Sequence, residues 1–409
     1  MKTKMILLLT IVFSQISTAQ KWINYTSANG LVYNLINAIA IDAQGNKWFA
    51  TGDGVSKFDG TNWTNYTVAN GLINNGVNTI AIDSHGNKWF GTGYFKTNTG
   101  GVSKFDGTNW TSYNVANGLV ENDVQAIAID AQDNIWFGTP KGVSKFDGSK
   151  WTTYTTNDGL ASDTVAFIAI DSKDNKWFGT SNGISKFDGT NWKTYTMSNG
   201  LAGNDITAIC IDAQDNKWFA TGSAGVSKFD DMNWTTYNNT SGLIFNTIFS
   251  IAIDGKGNKW FGTPLGVSKF DDKNWTKYTK TNGLVGNSIS AIAIDAQGNK
   301  WFGTGNGVSE LEDGSNNILN QIKENQNGID LFTYPNPSLN ETTLLLPHYD
   351  IYTLTISDLN GKIVQQFKEI TGEKTILNTV GFESGIYLLS LKSKTSGNIY
   401  KGKFIAINR

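Results

Sequence analysis

The chain is poor in the residues that most often carry chemistry. Its 409 residues include one cysteine, two histidines and one arginine. Cys210 alone cannot make an intrachain disulfide, so stability must come from packing. It stands in for an alanine of a repeated strand (Ala208-Ile209-Cys210-Ile211-Asp212 against Ala38-Ile39-Ala40-Ile41-Asp42) and reads as a small buried hydrophobe. With Arg409 the sole arginine, no guanidinium cluster can clamp carboxylate or phosphate. His85 and His348 lie far apart in the chain, which argues against a histidine metal site or an acid–base pair. Charged residues are only 17% of the chain and the net charge is −2, with no basic run. That excludes a nucleic-acid surface or an anionic-membrane surface. No phosphate-cradling loop or nucleophile elbow appears, so no cofactor is expected.

Long apolar runs are almost missing too. Met5 to Phe13 follows Lys2 and Lys4, precedes the small residues Ser17-Thr18-Ala19, and is too short for a permanent span. It reads as a signal peptide over residues 1–19, cleaved between Ala19 and Gln20. A secreted or cell-surface protein with no transmembrane segment is the expectation.

What the chain has in abundance is glycine, with 44 residues against 5 prolines, and aromatics at 12%. The aromatics recur with a period. A Trp-Phe pair begins at Trp48, Trp89, Trp136, Trp177, Trp218, Trp260 and Trp301, at spacings of 41, 47, 41, 41, 42 and 41. Each unit splits into four short β-branched or aromatic runs bounded by Gly, Asn or Asp, here called strands A to D. One four-stranded meander cannot bury both faces, whereas radial stacking buries each against its neighbour. The chain starts with an orphan strand D, Trp22-Ile23-Asn24-Tyr25, and the seventh unit stops after Gly307-Val308-Ser309 without one. The expected fold is therefore all-β: a seven-bladed β-propeller over residues 20–315, closed by the N-terminal strand.

The run Ile-Asp-x-x-Gly-Asn-x-Trp-Phe-Gly-Thr, then Gly-Val-Ser-Lys-Phe-Asp-Gly and Trp-Thr-x-Tyr, resembles the two-component-regulator propeller repeat. In sensor kinases such propellers lie outside the cell and some bind carbohydrate fragments. This chain has neither a transmembrane helix nor a kinase domain, so the resemblance implies ligand binding without direct signal relay.

Residues 316–329 are Asn/Gln-rich and polar, and read as a linker. Beyond it, residues 330–409 alternate like a small Ig-like β-sandwich. Tyr334-Pro335-Asn336-Pro337, the Asn360-Gly361-Lys362 turn, Gly385-Ile386-Tyr387 and a basic last strand resemble the type A C-terminal sorting domain of the Bacteroidetes type IX secretion system. That resemblance implies the type IX machinery as a partner and makes the domain an export address. An adhesive Ig-like module is the alternative.

The Asp ending strand A recurs in every unit, from Asp42 to Asp295, which marks turn architecture rather than a site. Most of these loops offer one carboxylate, too few oxygens for calcium. Function is better sought where units differ. The D–A and B–C loops share one face, and the second unit carries an insertion there, Tyr94-Phe95-Lys96. Tyr33, Glu121, Asp123, Asp205 and Phe245 vary on the same face, with Asn78, Gln125 and Phe249 nearer the channel. The leading reading is a non-catalytic module binding a glycan, ahead of a protein or peptide. A propeller lyase and a passive surface scaffold are the rivals.

Overall fold

The structure is a computed structural model that describes residues 21–93, 99–313, 330–331, 333–334, 341–347 and 350–406. Contacts divide the chain into two compact units, with the boundary between Glu312 and Asp313.

The first unit is a ring of seven four-stranded antiparallel sheets. In the second blade the strands are A (Val77–Ile82), B (Lys88–Gly93), C (Gly100–Phe105) and D (Trp110–Tyr113). The seventh blade draws strands A to C from Ile289–Ile294, Lys300–Thr304 and Gly307–Leu311 and its strand D from Trp22–Tyr25. Trp22 pairs with Leu311 and Tyr25 with Val308, so the chain start closes the ring as its unpaired strand D required.

Each strand B tryptophan is wedged between two blades. Trp48 is 2% exposed and packs with Val77, Phe90 and Phe105 of the next blade. Its indole N–H would be stranded there, and Asp42 Oδ2 accepts it at 2.9 Å. The same carboxylate accepts the Gln44 and Asn46 backbone N–H groups at 3.1 and 2.9 Å. The recurring Asp is thus both a turn former and the partner of the buried tryptophan, and the bond recurs in all seven blades. A buried N–H without a partner costs about 1–3 kcal/mol, which explains why the Asp never varies between units.

A second wedge comes from strand B lysines. Lys88 and Lys217 lie over the tryptophan of the preceding blade, Trp48 and Trp177, at 5.3 and 5.4 Å from the ring centroid. Lys217 is fully buried and donates to Asp215 and Asp231 at 3.1 and 2.9 Å. Ile135 replaces this lysine at the seam of blades two and three. There Ser84 and His85 of one blade meet Asp133 of the next, with His85 Nδ1 3.1 Å from its carboxylate and the imidazole largely exposed.

Glycine is required where each D–A loop crosses the strand D tryptophan of its own blade. Gly283 has φ +128°, and a Cβ there would sit 2.4 Å from Trp22 Cγ.

The closing blade differs from the other six at two adjacent strand C positions, with Leu311 where they have phenylalanine and an acid where they have lysine. Strand C carries Lys57, Lys104, Lys145, Lys186, Lys228 or Lys269 elsewhere, each over its own blade's tryptophan. The seventh has Glu310, 7% exposed, which accepts the Tyr25 hydroxyl at 3.0 Å. Burial raises its carboxyl to about 7, against the pull of the Tyr25 bond and the Lys47 charge.

The second unit is a two-sheet β-sandwich. Its larger sheet orders Asp330–Leu331, Ile399–Ala406, Gly385–Ser393, Tyr352–Ser357 and Ile363–Ile370; the smaller holds Thr333–Tyr334, Glu341–Leu345 and Lys374–Asn378. Leu344, Tyr352, Leu354, Leu377, Leu391 and Phe404 fill the core between them. In the exposed turn ahead of Ile363, Asp358 Oδ1 accepts the Asn360 and Lys362 N–H groups, both at 2.9 Å, and Gly361 takes φ +82°. Tyr387 follows Gly385 by two positions, donates to Glu383 O at 3.0 Å and stacks on Phe404. Pro335, Asn336, Pro337, His348, Ala19 and Gln20 lie outside the described residues, and Tyr334 sits in a short strand.

Candidate functional site

The D–A loops and B–C turns meet on one face, where the N–H of the B–C glycine reaches the next D–A loop in four blades. Gly54 donates to Asn75 O, Gly142 to Asp163 O and Gly183 to Asn204 O, each at 2.7 Å. The loops are pinned from below by a buried strand C serine, whose Oγ accepts a D–A loop N–H in every blade, as Ser56 does from Val32 at 2.9 Å and Ser309 from Val285 at 2.8 Å. An asparagine amide then caps the loop, as Asn34 Oδ1 does for Ser27 N at 2.7 Å. Loops held at both ends lose little entropy when something docks on them.

At the ring centre lies a cavity of about 330 Å³, lined by the first residues of the seven A strands. Asn78, Gln125 and Phe249 line it together, joined by Asn37 and Ser290. Most A strands have a bulge here; register slips between Ile36 and Ala38, Val77 and Thr79, and Ile289 and Ala291. The bulge residue is left out of the ladder and turned to the next blade. Asn37 Nδ2 donates to Val77 O at 2.9 Å, Asn78 Nδ2 to Val124 O at 3.2 Å, Thr207 Oγ1 to Ile248 O at 2.5 Å, and Ser290 Oγ to Ile36 O.

Between blades two and three the mouth carries a carboxylate. Asp123, 5% exposed, accepts from Gln125 Nε2 through Oδ1. Burial raises its pKa; Gln125 opposes that rise and Glu121 adds to it. Glu121 itself pairs with Lys141, which lowers its pKa.

Of the other expected residues, those described lie on the face but outside the cavity lining. Tyr33 is 48% exposed beside Gly52, and Phe245 is 40% exposed. Asp205 is exposed next to Gly222. Tyr94, Phe95 and Lys96 lie outside the described residues. Sequence reasoning missed Asn37 and Ser290. Their alignment with Asn78 and Gln125 at the head of strand A was the signal that could have found them.

Cys210 is half-buried in strand A of the fifth blade, and burial raises its thiol to about 12, which keeps it unreactive. Among the described residues no three His, Cys, Asp or Glu side chains gather as a metal site, and no helix is long and apolar enough to cross a membrane.

The profile of the secretion system C-terminal sorting domain matches residues 333–407, and that of the two component regulator propeller matches residues 118–141. The ring is built of two-component-regulator propeller repeats and the tail is a type IX sorting domain. The protein is therefore exported to the cell surface or beyond. No curated protein matches the sequence. The extracellular domain of a hybrid two component system from B. thetaiotaomicron is similar in structure at 21% identity and a TM-score of 0.64, over 95% of this chain and 58% of that one. PorZ, a surface component of the type-IX secretion system of Porphyromonas gingivalis, is similar at 17% identity and 0.59, over 92% of this chain and 60% of that one. Virginiamycin B lyase from Staphylococcus aureus is similar at 15% identity and 0.58, over 72% of this chain and 99% of that one. The chain thus spans under two thirds of the first two, and at these identities all three share the propeller fold.

Proposed function

We propose that the protein is an exported, non-catalytic binding ring that takes a glycan at the channel mouth of its D–A face. The observation that carries this reading is the meeting of Asn78, Gln125 and Phe249 around one cavity of about 330 Å³, at the lower end of ligand-pocket sizes. Amides beside a half-exposed aromatic ring suit a sugar, whose hydroxyls need hydrogen bonds and whose C–H face stacks on a ring. Pinned loops support binding over catalysis, since nothing described couples a nucleophile to a base. Tyr33, Asp205 and Phe245 extend the surface outward, and Tyr94, Phe95 and Lys96 are assigned to it from their place in the sequence, in the second unit's B–C insertion.

The chain is organised in this reading as a signal peptide over 1–19 cut between Ala19 and Gln20, the ring over 20–315, a linker over 316–329 and the sorting domain over 330–409. Tyr334, Pro335, Asn336, Pro337, Gly361, Lys362, Gly385 and Tyr387 carry the sorting motif.

A glycan array tests the binding reading. Micromolar hits that weaken at least 10-fold in Phe249→Ala and in the Tyr94→Ala/Phe95→Ala double variant, with melting unchanged, support it. Metal-dependent turnover of a polysaccharide would turn the reading into the lyase one.

A further inference from the structure

The direction of the hydrogen bonds at the channel mouth narrows the ligand, on the premise that the mouth is the glycan site. A main-chain carbonyl can only accept, so every side chain bonded to one has used a proton there. Asn37, Asn78, Thr207 and Ser290 each donate to a main-chain carbonyl at or just before the head of the next blade's strand A. Gln125 spends an amide proton on Asp123 Oδ1. The groups around the lumen have therefore turned donors into the wall, and what they hold out is mainly lone pairs. The cause is architectural: the side chain at the head of strand A lies at the seam between blades and reaches a main-chain carbonyl of the next one.

The charge of the surrounding loops has the same bias. In the B–C turns, and in the D–A loops past their glycine, the described residues hold the carboxylates Asp53, Glu121, Asp123, Asp163 and Asp205 against the single cation Lys141. That cation is already paired with Glu121.

We infer that the mouth selects a glycan end that donates hydrogen bonds and carries no negative charge, an amine-bearing or neutral sugar, and discriminates against uronate and sulfate. An ammonium donates three times and accepts nothing; a hydroxyl does both; a carboxylate or sulfate only accepts. An acidic sugar would meet lone pairs and like charge at once, with no arginine in the ring to reverse either.

The test uses the full chain and three probes of equal length: glucosamine oligomers from deacetylated chitin, cello-oligosaccharides and oligogalacturonates, titrated at 20 and 200 mM salt. The expected order is amine-bearing, then neutral, with the galacturonates at least 10-fold weaker than cello-oligosaccharides. Salt should weaken the amine arm alone. Asp205→Lys, at an exposed position, and Gln125→Lys, which can still donate to Asp123, should each narrow the gap between amine and uronate arms several-fold with melting unchanged. Galacturonates binding as tightly as cello-oligosaccharides would overturn the charge inference and leave glycan binding standing. A gap unmoved in both lysine variants would also overturn it. A correctly melting ring that binds none of the three, nor any glycan of the array, would remove both.

Discussion

Glu310→Gln is the sharpest probe of how the ring is closed. Glu310 sits in the blade that joins chain start to chain end, and its hydrogen-bond donor is Tyr25 of the N-terminal strand. The groups facing it are Tyr25 from that strand, Lys47 from the first blade, and Asp295 and Glu312 from its own blade. Its carboxyl titrates near 7 in the folded ring, against an ordinary 4.5. Below about pH 4.5 it is neutral in both states and its full contribution to stability is present. Between 4.5 and 7 the unfolded chain ionises while the ring keeps the proton, so stability falls with rising pH. Above 7 the loss is complete, at about 3 kcal/mol from 1.36 kcal/mol per pH unit. With a urea slope of about 3 kcal/mol per M, that loss moves the unfolding midpoint by roughly 1 M. Asp123 is shifted in the same direction and adds to the fall. Asp42 and its counterparts Asp83, Asp130, Asp212 and Asp254 are shifted down, so their contribution is lost only as pH drops below about 4, outside this window. Urea unfolding followed by tryptophan fluorescence at pH 5, 6, 7 and 8 should show the wild-type midpoint falling. Glu310→Gln should flatten most of that fall and exceed the wild type at pH 8 by up to 1 M. A wild-type midpoint constant from pH 5 to 8, or a variant identical to wild type at pH 8, would refute the reasoning.

The other expectations are simpler. Trp177→Ala should cost about 3–5 kcal/mol by opening a cavity between blades, read as a lowered unfolding midpoint. Asp171→Ala should cost about 2 kcal/mol or more, since Trp177 Nε1 and Asn175 lose their acceptor; Asp171→Asn should recover part of it. Gly283→Ala should destabilise the ring by more than the usual surface change, because the new Cβ meets Trp22 at 2.4 Å in a φ of +128°. Deleting residues 330–409 should hold the protein in the periplasm, detected by fractionating cells that express it.

Much of the fold could be read from local pattern. A period of about 41 residues, with the same aromatic wedge each time, states that the unit is one blade, and counting units counts blades. The unpaired strand D at the start and the missing one at the end identify the latch from the sequence alone. The Asn-Gly-Lys turn and Gly-Ile-Tyr strand marked the tail in the same way. The candidate site was legible only in part. Asn78, Gln125 and Phe249 could be placed near the channel by their position at the head of strand A, but Asn37 and Ser290, at the same position of their own units, looked like ordinary strand residues until ring closure placed all five around one cavity.

By itself the sequence determined the repeating blade, its number and its route out of the cell, because each is encoded within a few dozen consecutive residues. Tertiary structure alone decided which polar atoms remain free at the channel mouth and how tightly Glu310 holds its proton. Both depend on groups brought together from distant segments, Ser290 with Ile36 and Tyr25 with Glu310, in surroundings from which folding has removed water.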